Sequence, residues 1–265
     1  VCSSDLYMTL TIQSLLQQHF DRYQRTHPMA DYQRKAAEAM RDCRTAALGG
    51  HVLRCPEGHV EKVCCNACQH RNCPQCSLMA RERWLANWKE RLLDCPHHHV
   101  TLTVPHELVP LWQFNKAEFP AILFRAGIDT LRELLEDEKY LGASPGMLAG
   151  FHSWTHTLAK HPHLHVLVTA GGLDDQGGWR TPKKGCLLPR EVVLHLFRGK
   201  MCAYLKKAVD QGDLTLPPNM TATGVKNLLK KLGRVKWKGH VGERMGHGAG
   251  VGDPLGDDRA GVVLR

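Results

Sequence analysis

Histidines at alternate positions are the clearest candidates for metal chemistry in this chain. The segment KHPHLHVLVTAGG, residues 160–172, places His161, His163 and His165 two residues apart and then becomes apolar. In a β-strand, residues i and i+2 point to the same face, roughly 6.6 Å apart. His163 and His165 are therefore predicted to project together and to bind one divalent cation. His161 precedes Pro162, which lacks an N–H and favours a strand end, so His161 is expected to be less well fixed.

The same spacing also fits a half-exposed strand that only happens to carry histidines, in a chain with 17 of them. His152 and His156 precede the motif, on a segment that is itself predicted to be a strand. If the two strands pair, either histidine could supply a third ligand. Both could equally lie at the surface.

Cysteines form the second candidate site. Six of the 11 cysteines lie in CPEGHVEKVCCNACQHRNCPQC, residues 55–76. The first residues show no charged-then-apolar export signal, so this crowding predicts a metal site and not disulfides. Cys73-Pro-Gln-Cys76 is typical of a zinc knuckle, in which two thiolates three residues apart reach one tetrahedral ion.

Tetrahedral zinc needs four ligands, and this segment offers five good ones. We predict Cys55, His59, Cys73 and Cys76 as the set, with Cys68 as the next candidate. The side chains of the adjacent Cys64 and Cys65 tend to diverge, so one of them is expected to be structural. A set of buried free thiols is the alternative. A closed site of this kind holds a shape and does not by itself indicate catalysis.

The elements that must position these residues follow from periodicity and from turn residues. Apolar spacing predicts two helices between Thr9 and Ala47, interrupted at Pro28. Further helices are predicted at about 77–93, 117–139, 190–209 and 222–232, and strands at 99–105, 151–158, 163–169 and 235–241.

This order predicts an α+β fold with a central, mainly antiparallel sheet flanked by helices, preceded by a helical zinc-binding module. The predicted domains are residues 8–95, residues 96–250 and a tail at 251–265, which is rich in Gly, Asp and Pro and is expected to lack regular structure. The opening VCSSDL is expected to be foreign to the protein, with Met8 nearer its true start.

Positive charge is concentrated in one part of the chain. The formal net charge is +9, yet residues 180–244 alone hold 15 Lys or Arg against four acids. Such a basic region favours a polyanion, most simply DNA, over a small substrate, although it could also be an ordinary solvated surface. The candidate DNA-binding residues are Lys183, Lys184, Lys206, Lys207, Lys230, Lys231, Arg234, Lys236 and Lys238.

Several of these motifs, in this order, resemble one transposase family. HPHLHVLVTAGG resembles the histidine–hydrophobic–histidine (HUH) motif of rolling-circle transposases of the insertion-sequence-91 family. CRTAALGGHVLRC and CQHRNCPQC are similar to that family's zinc-binding domain, HHHVTLTVPHEL to its first core strand, and VKWKGHVGERMGHGAGV to a late segment. The resemblance extends from about Met8 to Val251.

The resemblance implies an HUH-type catalytic domain that binds single-stranded transposon ends, with structural Zn²⁺ in the N-terminal module. It also implies Mg²⁺ or Mn²⁺ held by His163 and His165, and a tyrosine that attacks a phosphodiester and remains joined to the 5′ phosphate. Neutral imidazole ligands favour Mn²⁺ over Mg²⁺. The implied activity is DNA strand cleavage and transfer.

The chain departs from this family where the nucleophile should be. The family carries one or two tyrosines on a helix after the segment that ends near Val251, and GDPLGDDRAGVVLR, residues 252–265, has none. The role does not transfer to Tyr204, which lies before that position, so no catalytic residue is identified. A frameshift or truncation near Val251 is the simplest explanation, and it predicts a protein that binds DNA and metal without cleaving.

Two further function classes remain open. One is a non-enzymatic, zinc-dependent DNA-binding protein, for which the paired histidines would not affect metal content. The other is a metal-dependent hydrolase of a small substrate, which needs a carboxylate near the histidines, where the sequence offers only Asp174 and Asp175. No apolar run approaches the length of a membrane helix. A cytoplasmic location and no membrane partner are expected, and the oligomeric state is left open.

Overall fold

A computed structural model describes residues 10–59, 61–155, 157, 159–182 and 187–246, and the backbone of 262–264. The chain divides into two compact units, Val1–Glu90 and Arg91–Arg265. Lys183, Lys184 and His156, which the sequence marked as candidates, lie outside the described residues, as does Met8.

The N-terminal unit consists of three helices and a hairpin. Helix α1 spans Ile12–Thr26, α2 spans Asp31–Asp42 and α3 spans Pro74–Lys89, while β1 (Gly50–Arg54) pairs with β2 (Glu61–Cys65). Thr11 and Ser14 cap α1 through reciprocal hydrogen bonds. Pro74 occupies the first turn of α3, where its missing N–H leaves no helical bond unmade.

Side-chain amides join these elements around the end of α2. The Nε2 of Gln13, on α1, donates to the carbonyl oxygens of Arg41 (3.2 Å) and Cys43 (2.5 Å). At the base of the hairpin, the backbone N–H of Arg44 donates to the carbonyl of Asn66 at 3.0 Å. The base of the hairpin therefore lies beside Cys43.

The C-terminal unit is built on an antiparallel sheet. Its strands are β3 (His97–Thr103), β4 (Ser144–Trp154), β5 (Lys160–Leu173), β6 (Trp179–Arg180), β7 (Gly239–Met245) and β8 (Val262–Leu264). The order is β7-β3-β5-β4-β8, and β6 pairs with the end of β5. Strand β8 pairs with β4 through three residues of the segment that was expected to have no regular structure.

Four helices cover one face of this sheet: α4 (Val109–Phe114), α5 (Glu118–Glu136), α6 (Arg190–Gln211) and α7 (Ala222–Leu232). Their apolar side chains form a single core with Leu102 on β3 and Leu164 and Val166 on β5. Gly127 of α5 permits this close packing, because a Cβ there would come within 2.6 Å of the Leu164 side chain. The α+β architecture and mainly antiparallel sheet predicted from the sequence are confirmed.

Among the described residues, no helix combines the length and the apolar character that crossing a membrane requires.

Candidate functional site: a thiol cluster and a histidine-bearing sheet face

Four thiols meet in the N-terminal unit. Cys43, Cys68, Cys73 and Cys76 have sulfur atoms within 4.8 Å of one another. The Cys43–Cys76 separation is 3.4 Å and the Cys68–Cys76 separation is 3.6 Å. Four sulfurs at about 2.3 Å from one tetrahedral ion lie roughly 3.8 Å apart, so the group fits a structural zinc ion.

Tight turns bring these thiols together. Arg44 (φ 56°) follows Cys43 and Gln69 (φ 52°) follows Cys68, and both adopt the left-handed conformation that non-glycine residues rarely occupy. The turn at Gln69 directs the backbone N–H of His70 to the Cys68 sulfur at 3.4 Å. Such strained residues persist only where their surroundings hold them, and they are common at ligand sites.

Burial and hydrogen bonding shift the pKa values of three of these thiols in different directions. Burial raises the pKa of Cys68 to about 12, and burial also raises the pKa of Cys43. Burial opposes ionisation of Cys76 as well, but hydrogen bonds from Cys43 and Cys68 outweigh it and lower the Cys76 pKa. The thiolate of Cys76 is thus favoured, and a bound divalent cation would favour deprotonation of Cys43 and Cys68 as well.

The structure does not place the predicted ligands Cys55 and His59 with the knuckle. Within the part of the chain that is described, Cys43 joins the thiol group instead. Cys55 and His59 lie in the turn of the β1–β2 hairpin, with Sγ and Nδ1 3.8 Å apart. Since Cys43 lies at the hairpin base, five residues of strand, or roughly 16 Å, separate the two places.

The predicted histidine pair occupies the sheet face opposite the helices. In β5, Leu164 and Val166 point into the core, while His163 and His165 point to the other side. Strand β4 pairs with β5 so that His152 lies directly opposite His163. The imidazoles of these three residues offer ligand atoms within 4.8 Å of one another. His152, one of the two third-ligand candidates, therefore completes a group of three.

Hydrogen bonds orient two of the three rings. The Nδ1–H of His163 donates to the carbonyl oxygen of His161 at 2.6 Å, which makes Nε2 the unprotonated nitrogen of the neutral ring. The Nδ1 of His165 lies 2.7 Å from Nε2 of His99 on β3, and the two rings stack with an interplanar angle of 9°. Fixing one ring nitrogen in this way is how proteins present the other to a metal.

Sequence reasoning missed two members of this face. His99 and His240 are brought beside the group only by strand pairing: β7 places His240 opposite Thr101, and Thr101 lies opposite His165. One imidazole from each of four neighbouring strands thus forms a row across the sheet. No short-range spacing marks such a row, because its members come from widely separated parts of the sequence.

Burial favours the neutral imidazole at His165 and at His99. Burial, followed by the neighbouring His152, His163 and His99, lowers the pKa of His165 to about 3. Burial likewise lowers the pKa of His99, with smaller contributions from His240 and His152. Neutral rings keep their lone pairs and can act as metal ligands near neutral pH.

These shifts predict a loss of stability in acid when no divalent cation is added. His165 has an ordinary pKa of about 6.5 when unfolded, so below that pH the unfolded chain binds a proton that the folded chain does not. Relative to His165→Asn, the wild-type chain should therefore lose about 1–2 kcal/mol of unfolding free energy between pH 7 and pH 5. Urea titrations at both pH values measure this difference, and a constant difference would contradict the assignment.

The predicted DNA-binding residues that are described lie at the surface, but not as one patch. Lys206, Lys207, Lys230 and Lys231 lie on α6 and α7, which pack on the helix-covered face. Lys206 is also held by Asp210 at 2.6 Å. Arg234 and Lys236 follow α7 and are exposed. Lys238 lies closest to the histidine face, because its carbonyl accepts from the backbone N–H of Thr103, the residue opposite His163.

Comparison with known proteins matches both units. A family model described as a transposase zinc-binding domain matches residues 15–104, and one described as a putative transposase matches residues 146–257. The chain is 35% identical over 222 residues to the putative transposase y4qJ of Sinorhizobium fredii, which covers 83% of this chain and 56% of the relative. It is 30% identical over 235 residues to the transposase for insertion sequence element IS801 of Pseudomonas savastanoi pv. phaseolicola, covering 86% and 55%. The chain thus spans about half the length of these curated relatives.

Solved structures give weaker similarities. The conjugative relaxase TrwC complexed with a 27-mer DNA aligns with 53% of this chain and 66% of its own, at a TM-score of 0.33 and 16% identity. A metal-bound structure of TrwC in complex with DNA aligns with 83% of this chain and 81% of its own, at a TM-score of 0.32 and 12% identity.

Family membership comes from the sequence matches, which agree in order with the two units. The zinc-binding match contains all four clustered cysteines, and the second match contains all three grouped histidines. The chain belongs to the insertion-sequence-91 family of transposases, with an N-terminal zinc-binding domain followed by a transposase domain.

Proposed function

We propose that this chain carries the DNA-binding and metal-binding parts of a rolling-circle transposase that acts on single-stranded transposon ends. The observation that carries the proposal is the group formed by His152, His163 and His165 on the sheet face opposite helices α4 to α7. A strand of DNA laid across that face would bring a phosphate to the three imidazoles.

The chain's own residues would perform two tasks in this reaction. His152, His163 and His165 hold a divalent cation, with Mn²⁺ favoured over Mg²⁺ because all three ligands are imidazoles. His99 and the carbonyl of His161 fix the rings of His165 and His163. When bound, the cation offsets negative charge that gathers on the oxygens of the scissile phosphate.

Within the C-terminal unit, no described tyrosine is placed to attack that phosphate. Tyr140 and Tyr204 pack against the core on the helix-covered side of the sheet. The hydroxyl of Tyr204 donates to the Asp129 carboxylate at 2.9 Å. Ionisation of Tyr204 is further opposed by burial, the largest of the effects that raise its pKa. We therefore propose that residues 1–265 bind DNA and metal and form no covalent bond to DNA.

Binding and cleavage are tested together with the full 265-residue chain. A labelled single-stranded oligonucleotide with the sequence of a transposon end is titrated with protein in Mn²⁺ and followed by fluorescence anisotropy. The mixture is then denatured and separated by electrophoresis. We expect binding without a protein–DNA adduct. Absence of binding would refute the proposed function. A covalent adduct would refute the proposal that this chain forms no bond to DNA.

Salt dependence identifies the phosphate contacts. For single strands, the logarithm of affinity falls with the logarithm of salt concentration by about 0.7 for each phosphate neutralised. Lys238→Ala, beside the histidine face, is expected to reduce this slope by about 0.7. Lys206→Ala, whose amine is already paired with Asp210 on the other side of the sheet, should leave the slope unchanged. Equal slopes for the two variants would contradict the assignment.

A further inference from the structure

One exposed tryptophan lies at the edge of the histidine face. Trp154 is the last residue of β4, two residues beyond His152, and 45% of its surface is exposed. Single exposed apolar residues are common at protein surfaces, so it is the position of Trp154 beside the grouped histidines that makes it a candidate for ligand contact. Among the tryptophans that the structure describes, only Trp154 and Trp179 are exposed.

Strand pairing places the indole on the same face as the metal-binding group. His152 pairs with His163 and Trp154 pairs with Lys160, so β5 uses one residue more than β4 between the two pairs. The extra residue falls at His161-Pro162, where proline cannot donate to the ladder. Because the extra residue lies on β5, we expect residues 152 and 154 of β4 to share a face, about 6.6 Å apart along the strand.

Two exposed lysines lie near this position. Lys160 lies opposite Trp154 in the register. The backbone carbonyl of Lys238 accepts a hydrogen bond from the N–H of Thr103, the residue opposite His163.

An exposed aromatic ring beside a row of cations is the arrangement that binds single-stranded nucleic acid. Bases stack on the ring and phosphates follow the cations, and the stacking tolerates any base because each has a π-face. In a duplex, the faces of the bases are already stacked on one another. A flat indole at the end of a strand therefore selects unpaired nucleotides.

We propose that Trp154, flanked by Lys160, forms a stacking platform for an unpaired base next to the phosphate held at the histidine group. This inference rests on the proposed function and adds a substrate contact to it. The spacing supports one nucleotide, because the two-residue step along the strand is close to the distance between neighbouring phosphates of an extended single strand.

The second exposed tryptophan provides a matched control. Trp179, on β6, is also 45% exposed and pairs with Leu173 at the far end of β5. The length of β5 between Lys160 and Leu173 places it roughly 40 Å from Trp154. Both side chains are solvent-exposed and lie outside the core, so alanine at either position should leave the fold intact, as circular dichroism and zinc content would verify.

Three probes of equal length test the proposal by anisotropy in Mn²⁺: a mixed-sequence single strand, its duplex, and a strand of abasic deoxyribose phosphates. Trp154→Ala is expected to weaken single-strand binding about tenfold, and Trp179→Ala less than about twofold. Trp154→Phe should retain most of the affinity. On the duplex and the abasic strand, Trp154→Ala should bind like the wild type.

Each contrary result overturns a different statement. Equal effects of Trp154→Ala and Trp179→Ala on the single strand would refute the platform, as would a loss of equal size on the abasic strand. In either case wild-type binding would stand, and the proposed function with it. Failure of the wild-type chain to bind any of the probes would instead refute the proposed function.

Discussion

Replacing Cys43 with serine is expected to release zinc and to unfold the N-terminal unit. Cys43 is fully buried and its sulfur lies 3.4 Å from that of Cys76, within a group of four thiols. Metal binding supplies folding free energy directly in small zinc modules, about 10–16 kcal/mol in zinc-finger peptides. Serine preserves the volume but is a poor zinc ligand, so most of that contribution should be lost. Metal analysis and far-ultraviolet circular dichroism would detect the change.

Cys55→Ser is the matched control for this experiment. Cys55 lies in the hairpin turn beside His59, away from the thiol group. Its replacement should leave the zinc content at one ion per chain and change the unfolding free energy by less than about 0.5 kcal/mol, as is usual for surface substitutions. If Cys55→Ser loses zinc and Cys43→Ser retains it, the ligand set inferred from sequence spacing is right and the structural one is wrong.

Replacing His163 or His165 with alanine is expected to weaken Mn²⁺ binding by at least about a hundredfold. Each contributes one of three clustered ligand atoms. Changes to residues that only orient ligands already cost about 10- to 100-fold in affinity, and removal of a ligand should cost more. Calorimetric titration of the zinc-loaded chain with Mn²⁺ measures this without reference to catalysis. His152→Ala should produce a similar loss if the third ligand is assigned correctly.

His240→Ala controls for the loss of an imidazole from the same face. His240 lies on β7, opposite Thr101, and is not one of the three grouped histidines. Its replacement should alter Mn²⁺ affinity far less than that of any grouped histidine. Unchanged affinity in His163→Ala would remove the basis of the proposed function and leave the zinc-dependent DNA-binding protein as the better alternative.

The sequence predicts best where the signal is local. Alternation in HPHLHV predicted that His163 and His165 share a face, because a strand fixes the direction of side chains two residues apart. Cys73-Pro-Gln-Cys76 predicted a chelating turn, because two thiolates at this spacing can reach one tetrahedral ion. Helices α5, α6 and α7 begin within a residue of the predicted positions, since their apolar residues recur at helical spacing over several turns.

Prediction fails where position depends on distant residues. Cys43 follows α2, well before Cys68 in the sequence, and only the folding of the hairpin against α2 brings it to the other thiols. The predicted zinc ligands were chosen by their spacing within residues 55–76, and spacing within one segment cannot identify a ligand outside it. His99 and His240 reach the histidine face in the same way, through strand order.

Strand limits show the same weakness. Strand β4 begins at Ser144, well before the predicted start. The prediction missed its first half because Pro145, Gly146 and Gly150 are residues typical of loops. Gly146 relieves a close approach there, because a Cβ would lie 3.0 Å from the Thr169 side chain on β5. Strand β7 is displaced towards the C-terminus, to Gly239–Met245, because residues 235–238 lead from α7 into the sheet.

Alternate residues of β5 face the core and the histidine group, so the protein should be sensitive to any insertion or deletion in this strand. Deleting one residue between Thr169 and His165 would reverse the orientation of every residue on one side of the deletion. Imidazoles would then be forced among the leucines packed under α5, and Leu164 and Val166 would be turned towards solvent. Folding and metal binding would then be lost together, whereas a single substitution in this strand changes one side chain on one face.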